Sequence, residues 1–130
     1  MTYLKFKVNC FIIIGVLSFS LVFTSCSKDT KTAKKLSITE IRKLEKILPK
    51  DSILKEKYKR SCIVCHTNPE ALAPLVKDND AWEPILATKN LDELVQNVVK
   101  GIKTMPPKGQ CGDCTEEELR SLIKFLANIE

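Results

Sequence analysis

Apolar residues in the second half of the chain recur every three or four positions, the period of an amphipathic α-helix. Asn90 with Glu93 opens one predicted helix, and the capping box of Thr115 and Glu118 opens another. Their apolar positions are Leu91, Leu94, Val95, Val98, Val99 and Ile102 in the first, and Leu119, Leu122, Ile123, Phe125, Leu126 and Ile129 in the second. No segment alternates with a period of two, so the predicted fold class is all-α.

A third helix is predicted to begin at Asp51, which can cap it, and to run into Cys62. It carries the apolar residues Ile53, Leu54 and Tyr58. These helices place one small folded domain in residues 52–130. A domain of this size buries little surface, so we expect a large apolar group to complete its core.

A shorter helix is predicted ahead of the domain. Ser37 and Glu40 form a capping box, and Pro49 closes the helix. Its apolar face consists of Ile38, Ile41, Leu44 and Leu48. Segment 37–51 is therefore predicted as a short amphipathic helix or linker that packs on the domain or acts as a spacer.

The first 25 residues have the features of a cleaved secretory signal. Two lysines precede an apolar run from Cys10 to Val22, which is too short to span a bilayer as a mature helix. The ending FTSC resembles the signal of bacterial lipoproteins, in which the chain is cut before the cysteine and that cysteine is lipidated. We expect Cys26 to carry the lipid and residues 26–36 to form a flexible polar tether on the periplasmic side of a bacterial cell envelope. Ordinary secretion with Cys26 free, or an uncleaved anchor, are the alternatives.

The net charge of +5 is unevenly distributed. Residues 27–51 hold eight basic and four acidic groups, whereas residues 52–130 hold eleven basic and twelve acidic groups. The basic excess therefore belongs to the leader and tether, and no nucleic-acid partner is predicted. A lysine-rich tether is suited to anionic lipid, although a merely solvated linker explains it equally well.

The segment CIVCH contains Cys62, Cys65 and His66, the only histidine of the chain. Thiols three residues apart project from one face of a helical turn, so each can bond one vinyl group of a haem. The histidine that follows then supplies an axial nitrogen to the iron. This is the haem-attachment pattern, and it predicts one covalently bound haem c.

Two other uses of these cysteines compete with haem. With Cys111 and Cys114 they spell CxxC…CxxC, the pattern of a four-thiolate zinc site. Export, the long helical gap between the two pairs and the unexplained His66 count against zinc. A thioredoxin-like redox pair is disfavoured because no βαβ pattern surrounds it.

The segment KTMPPKGQ holds Met105, the only methionine outside the leader. Two prolines after it stiffen the loop and can present the thioether at a fixed depth. We therefore predict Met105 as the sixth ligand of the iron, against the alternative that it fills the core. A haem with both axial positions filled transfers electrons and does not bind substrate, so no enzymatic activity is predicted. A haem sensor or small peroxidase with an open sixth position is the alternative.

Residues 54 to 126 resemble a class I c-type cytochrome. The run from AP at Ala73 and Pro74, through AW at Ala81 and Trp82, to MPPKGQCGDCTEEEL resembles specifically the cytochrome c5 family. The resemblance implies short helices wrapped around the haem, and a monomeric electron carrier that serves the redox partners of a respiratory chain.

Roles for individual residues follow from the same resemblance. It implies haem attachment at Cys62 and Cys65, axial ligation by His66 and Met105, and a disulfide between Cys111 and Cys114, whose alternative is two free thiols. It also implies that the Pro74 carbonyl accepts a hydrogen bond from the other nitrogen of His66. Apart from the resemblance, the indole N–H of Trp82 suits a place near a haem propionate, with a plain core role as the alternative.

Basic residues surround the predicted ligands. Lys103 and Lys108 flank Met105, and the cysteines are preceded by Lys55, Lys57, Lys59 and Arg60. These residues predict a positive ring that steers an acidic partner, with ordinary solvated helix faces as the alternative.

Overall fold

The computed structural model describes residues 34–129, and every regular element within that range is helical. The α-helices are α1 (Ile38–Leu44), α2 (Ser52–Lys57), α3 (Ile63–His66), α4 (Asn79–Leu86), α5 (Leu91–Lys100) and α6 (Glu116–Ala127). A π-helical turn, Tyr58–Cys62, joins α2 to α3, and short 3₁₀ turns cover Pro69–Ala71 and Pro107–Gln110. The predicted all-α class is confirmed. The predicted leader, Cys26 and the tether up to residue 33 lie outside the described residues.

The predicted helix starts are confirmed. Asp51 accepts a hydrogen bond from the Leu54 N–H at 2.8 Å and caps α2. Complete capping boxes open α1, α5 and α6, and their N-cap and acidic residues are Ser37 and Glu40, Asn90 and Glu93, and Thr115 and Glu118. Local sequence therefore determines where these helices begin. None of the helices between residues 34 and 129 has the length and apolarity needed to cross a bilayer.

The helix ahead of the domain is shorter than predicted. It ends at Leu44, and the next amides bond three residues back, Lys46 to the Lys43 carbonyl and Ile47 to the Leu44 carbonyl. Pro49 disfavours helical backbone at Leu48, so a longer helix would have ended there in any case. Beyond the helix end, Ile47 and Leu48 pack with Leu44 against the domain core.

The approach to the haem-attachment motif contains a π turn that the apolar spacing does not reveal. The amide of Ile63 bonds to the carbonyl of Tyr58, five residues back, in place of the usual four. The extra residue changes the helical phase directly before the two cysteines. Such turns are frequent at functional sites.

Helix α6 forms the centre of the core and packs against α2 and α5. Tyr58 meets Phe125 edge to face, with ring centroids 5.2 Å apart and planes at 81°. The buried apolar side chains around this crossing include Val76, Trp82, Leu119, Leu122 and Leu126. The crossing fixes the helix that carries the cysteines against the end of the chain.

Candidate haem site

The two cysteines of the motif are free thiols in different surroundings. Cys62 ends the π turn and is buried, whereas Cys65 lies on α3 and is exposed. Burial, and secondarily the neighbouring Cys65, raises the pKa of the Cys62 thiol to about 11. That thiol is therefore protonated at neutral pH until it reacts.

His66 is held in one orientation. Its side chain is buried, and Nδ1 donates a hydrogen bond to the Pro74 carbonyl at 2.7 Å. Because that nitrogen carries the proton, the Nε2 lone pair is available as a ligand. Desolvation lowers the pKa of the imidazole more than the Pro74 carbonyl raises it, so the neutral form is favoured. The carbonyl of His66 accepts from the Val76 amide at 2.8 Å, which closes the intervening loop.

Trp82 supports this arrangement from the core side. It is buried, and its ring is stacked 6.3 Å from the His66 ring. Its indole N–H donates to the Leu75 carbonyl at 2.8 Å. The donor that a haem propionate would need is therefore already paired, which favours the core role over the propionate role.

Met105 lies half-buried in a loop built on glycine and left-handed backbone. The loop closes on itself through two bonds, from the Ile102 amide to the Met105 carbonyl at 3.1 Å and from the Met105 amide to the Ile102 carbonyl at 2.9 Å. A Cβ on Gly101, whose φ is +81°, would lie 2.8 Å from the Met105 carbonyl oxygen. A Cβ on Gly109 would lie 3.1 Å from the Met105 methyl group. Both glycines therefore make room for the methionine, and they are functional positions that the spacing argument missed.

The Cys111 and Cys114 sulfurs form a disulfide that is buried below the surface. Two sulfurs joined in this way offer no thiolates, so the four-cysteine zinc alternative loses half its ligands. The disulfide turn is also bonded to its surroundings. The Lys108 ammonium donates to the Cys114 carbonyl at 3.1 Å and the Gly112 carbonyl at 3.4 Å.

Ion pairs tie the same turn to the helix before the haem cysteines. The Lys57 ammonium lies 2.5 Å from the Glu118 carboxylate and donates to the Asp113 carbonyl at 3.3 Å. Arg60 pairs with the Asp113 carboxylate. The hydrogen bond from Arg60 lowers the pKa of Asp113, and the one from Lys57 lowers the pKa of Glu118.

These contacts correct the predicted positive ring. Lys57 and Arg60 are neutralised by acidic partners, and Lys108 points its charge at backbone carbonyls. Lys59 approaches Glu56 at 3.9 Å. The acidic partners of Lys57 and Arg60 follow more than fifty residues later in the chain. Lys55 and Lys103, which form no ion pair within residues 34–129, do not by themselves make a ring.

The residues present fit a haem c. Two free thiols, an imidazole with its outer nitrogen anchored and a thioether in a glycine-lined loop are the donor set of such a group. Val64 on α3, Leu72 in the loop between His66 and Pro74, and Ile102 in the Met105 loop expose 68%, 60% and 40% of their surface. Contact with a large apolar ligand would remove these exposed side chains from water.

Comparisons with known proteins point to c-type cytochromes. Residues 50–126 match the family described as cytochrome C oxidase, cbb3-type, subunit III. The chain is 40% identical over 69 residues to cytochrome c5 of Azotobacter vinelandii, covering 52% of this chain and 83% of that protein. It is 34% identical over 71 residues to cytochrome c5 of Ectopseudomonas mendocina, covering 54% and 82%.

One solved structure is also similar. It is described as the crystal structure of the electron transfer complex of nitrite reductase with cytochrome c, and the match has a TM-score of 0.53 at 35% identity. The similarity covers 60% of this chain and 94% of that one. Fold and sequence therefore point to the same group of proteins.

Proposed function

Since the chain belongs to the class I c-type cytochromes, and within them is similar to the cytochromes c5, electron-transfer proteins with covalent haem c, we propose that His66 and Met105 ligate its single haem iron. Cys62 and Cys65 are the attachment points. When bound, the haem supplies a one-electron iron couple. The observation that carries the proposal is the imidazole of His66, buried and fixed through Nδ1 to the Pro74 carbonyl with Nε2 left for the metal.

Each residue contributes a separate physical effect. The hydrogen bond to Pro74 fixes the tautomer and the ring orientation of His66, which strengthens the nitrogen as a ligand. Met105 supplies a soft thioether that favours the reduced iron, and the glycines on both sides let it approach. With His66 and Met105 both bound to the iron, no coordination position would remain for a substrate, and the haem would supply transfer of one electron at the protein surface.

The proposed location is the periplasmic side of a bacterial cell envelope, with the monomeric domain held to a membrane by lipid on Cys26. The leader pattern supports it, together with the kinship to bacterial c-type cytochromes. Its partners are proposed to be the oxidoreductases of a respiratory chain. The related structure was solved as a complex of a cytochrome c with nitrite reductase, which supports an enzyme partner of this kind.

A spectrum and one substitution test the ligand set. The ferric protein is expected to be low-spin, with the weak near-infrared band of sulfur-to-iron charge transfer, and the ferrous protein to bind carbon monoxide poorly. Met105→Ala should remove the band and open the iron to carbon monoxide, because the mature chain offers no second histidine or methionine. An unsubstituted protein that is already high-spin would instead require the sensor or peroxidase interpretation.

Covalent attachment has its own test. Thioether bonds survive denaturation, so haem should remain with the protein on a denaturing gel. Cys62→Ala combined with Cys65→Ala should abolish haem retention. Extraction of all haem from the unsubstituted protein by acid would contradict the assignment.

A further inference from the structure

The segment ahead of the cytochrome domain lies outside the family match, which begins at residue 50. It is nevertheless attached to the domain. The side chains of Leu44, Ile47 and Leu48 pack against the core, and Lys34 forms an ion pair with Asp78 at 2.8 Å. The cap of α1 is complete as well. The segment therefore presents a fixed surface, although nothing in the electron-transfer site uses it.

The outward face of α1 and of the turn after it is basic. At about 100° per residue, Arg42 and Lys46 lie opposite Leu44, which packs on the core, and Lys43 lies to one side of Leu44. All three basic side chains are exposed, and no salt bridge to them occurs within residues 34–129. Residues 34–50 as a whole hold six basic and two acidic groups.

Both acids of this segment remain charged, and the second, Glu45, is exposed next to Lys46, so the basic residues outnumber the acids without being free of them. Glu40 is held by its capping hydrogen bonds to Ser37, 2.8 Å to the amide and 2.6 Å to the hydroxyl. Ile38 flanks the basic residues and is 71% exposed. Positive charge beside an exposed apolar residue is the combination that suits the headgroup region of a membrane.

We propose that this basic face, defined as Arg42, Lys43 and Lys46, docks on anionic lipid headgroups and orients the domain at the membrane. The proposal rests on the proposed lipid anchor at Cys26. Twelve residues separate Cys26 from Ile38, so even a fully extended tether spans only roughly 40 Å. An anchored domain therefore meets lipid at high effective concentration at all times, whereas an acidic protein must first arrive.

The charges suffice for such an orientation. A lysine or arginine near an anionic leaflet strengthens attachment by about fivefold. Three of them, less the opposing charge of the adjacent Glu45, would favour the docked orientation by about twenty-five-fold. Salt should weaken the effect because the attraction extends only about one Debye length.

Amide hydrogen exchange on the lipidated holoprotein in vesicles tests the proposal. Exchange of residues 38–46, referred to α5 in the same molecule, should slow severalfold in vesicles that contain phosphatidylglycerol relative to pure phosphatidylcholine. High salt should reverse the slowing. Arg42→Gln, Lys43→Gln and Lys46→Gln combined should abolish it, whereas the matched set Lys59→Gln, Lys89→Gln and Lys100→Gln should leave it intact.

Equal exchange in the two vesicle types would overturn the docking proposal, and would leave an acidic protein as the remaining occupant. The anchor is judged separately, by flotation with pure phosphatidylcholine vesicles. If flotation fails, Cys26 is not lipidated, and the comparison of exchange is then made with the unanchored protein mixed with the same vesicles. Slower amide exchange of residues 38–46 with the anionic vesicles would support docking in that case too. Unchanged exchange would overturn the docking proposal.

Discussion

The ammonium group of Lys108 lies 3.1 Å from the carbonyl oxygen of Cys114. A residue three positions after Met105 is thereby bonded to the far end of the disulfide turn, and Gly112 in the same turn offers a second carbonyl at 3.4 Å. The side chain of Lys108 thus links the Met105 loop to the disulfide turn. The lysine that the sequence suggests for partner docking instead braces the proposed ligand loop.

Lys108→Asn tests this brace. Asparagine tolerates the left-handed backbone at Lys108, where φ is 54°, but cannot reach both carbonyls. Loss of the charged hydrogen bonds should destabilise the closed loop by about 1–2 kcal/mol. External imidazole competes with Met105, so its affinity for the ferric protein should rise by about tenfold.

Lys103→Asn is the matched control, because Lys103 has nearly the same φ, 56°, and is exposed. Its imidazole affinity should stay at that of the unsubstituted protein. Equal affinities in the two variants, measured by optical titration, would show that Lys108 has no bracing role.

The disulfide should add stability through a short loop. Its two cysteines are only three positions apart, and such a loop removes a modest amount of entropy from the unfolded chain. Cys111→Ala with Cys114→Ala should lower the free energy of unfolding by about 2 kcal/mol, measured by guanidinium titration. Thiol labelling of the unfolded, unreduced protein should find neither sulfur, and two labelled cysteines would refute the bond.

Acid should weaken the link between Lys57 and Glu118. The hydrogen bond from Lys57 lowers the pKa of Glu118 below its ordinary 4.5, so this carboxylate stabilises the folded state at pH values above 4.5. The contribution should be lost as the pH falls through the lowered pKa. Glu118→Gln should reduce stability at neutral pH and flatten its decline in acid, because glutamine can keep the capping box.

Glu83→Gln serves as the control for this pH effect, since Glu83 is exposed and lies outside the salt bridges found within residues 34–129. The stability of the Glu83→Gln variant should depend on pH in the same way as that of the unsubstituted protein. Thermal unfolding between pH 3 and pH 7 measures both variants. Parallel profiles for Glu118→Gln and the unsubstituted protein would exclude the linkage.

The sequence predicts the features that depend on neighbours along the chain. Asp51, Asn90 and Thr115 open helices where expected because a cap involves only the next three residues. The haem-attachment pattern CIVCH is likewise recognisable from sequence, because its two cysteines and its histidine lie within five residues. The charge of Arg60 could not be judged in this way, because its partner Asp113 follows 53 residues later. The π turn is equally hidden, because the apolar spacing of Ile53, Leu54 and Tyr58 carries no sign of the bond from the Ile63 amide to the Tyr58 carbonyl.

Tyr58 carries a buried hydroxyl without a partner. The residue is fully buried, its ring packs edge to face on Phe125, and no hydrogen-bond partner for Oη lies among the residues that the structure describes. Burial raises the pKa of the phenol, so the hydroxyl stays neutral. Burying it without a hydrogen-bond partner destabilises the folded state.

Tyr58→Phe keeps the aromatic contact and deletes that atom. The free energy of unfolding should stay constant or rise, by up to about 1–3 kcal/mol. Tyr58→Leu is the comparison. Its free energy of unfolding should be lower than that of Tyr58→Phe and of the unsubstituted protein, because leucine also loses the edge-to-face contact, worth about 0.5–1.5 kcal/mol. Guanidinium unfolding of the holoprotein, followed by haem absorbance, measures all three proteins. A Tyr58→Phe variant that is less stable and has a shifted reduction potential would contradict this expectation. It would show that the attached haem provides the hydrogen-bond partner that the hydroxyl lacks among the protein atoms.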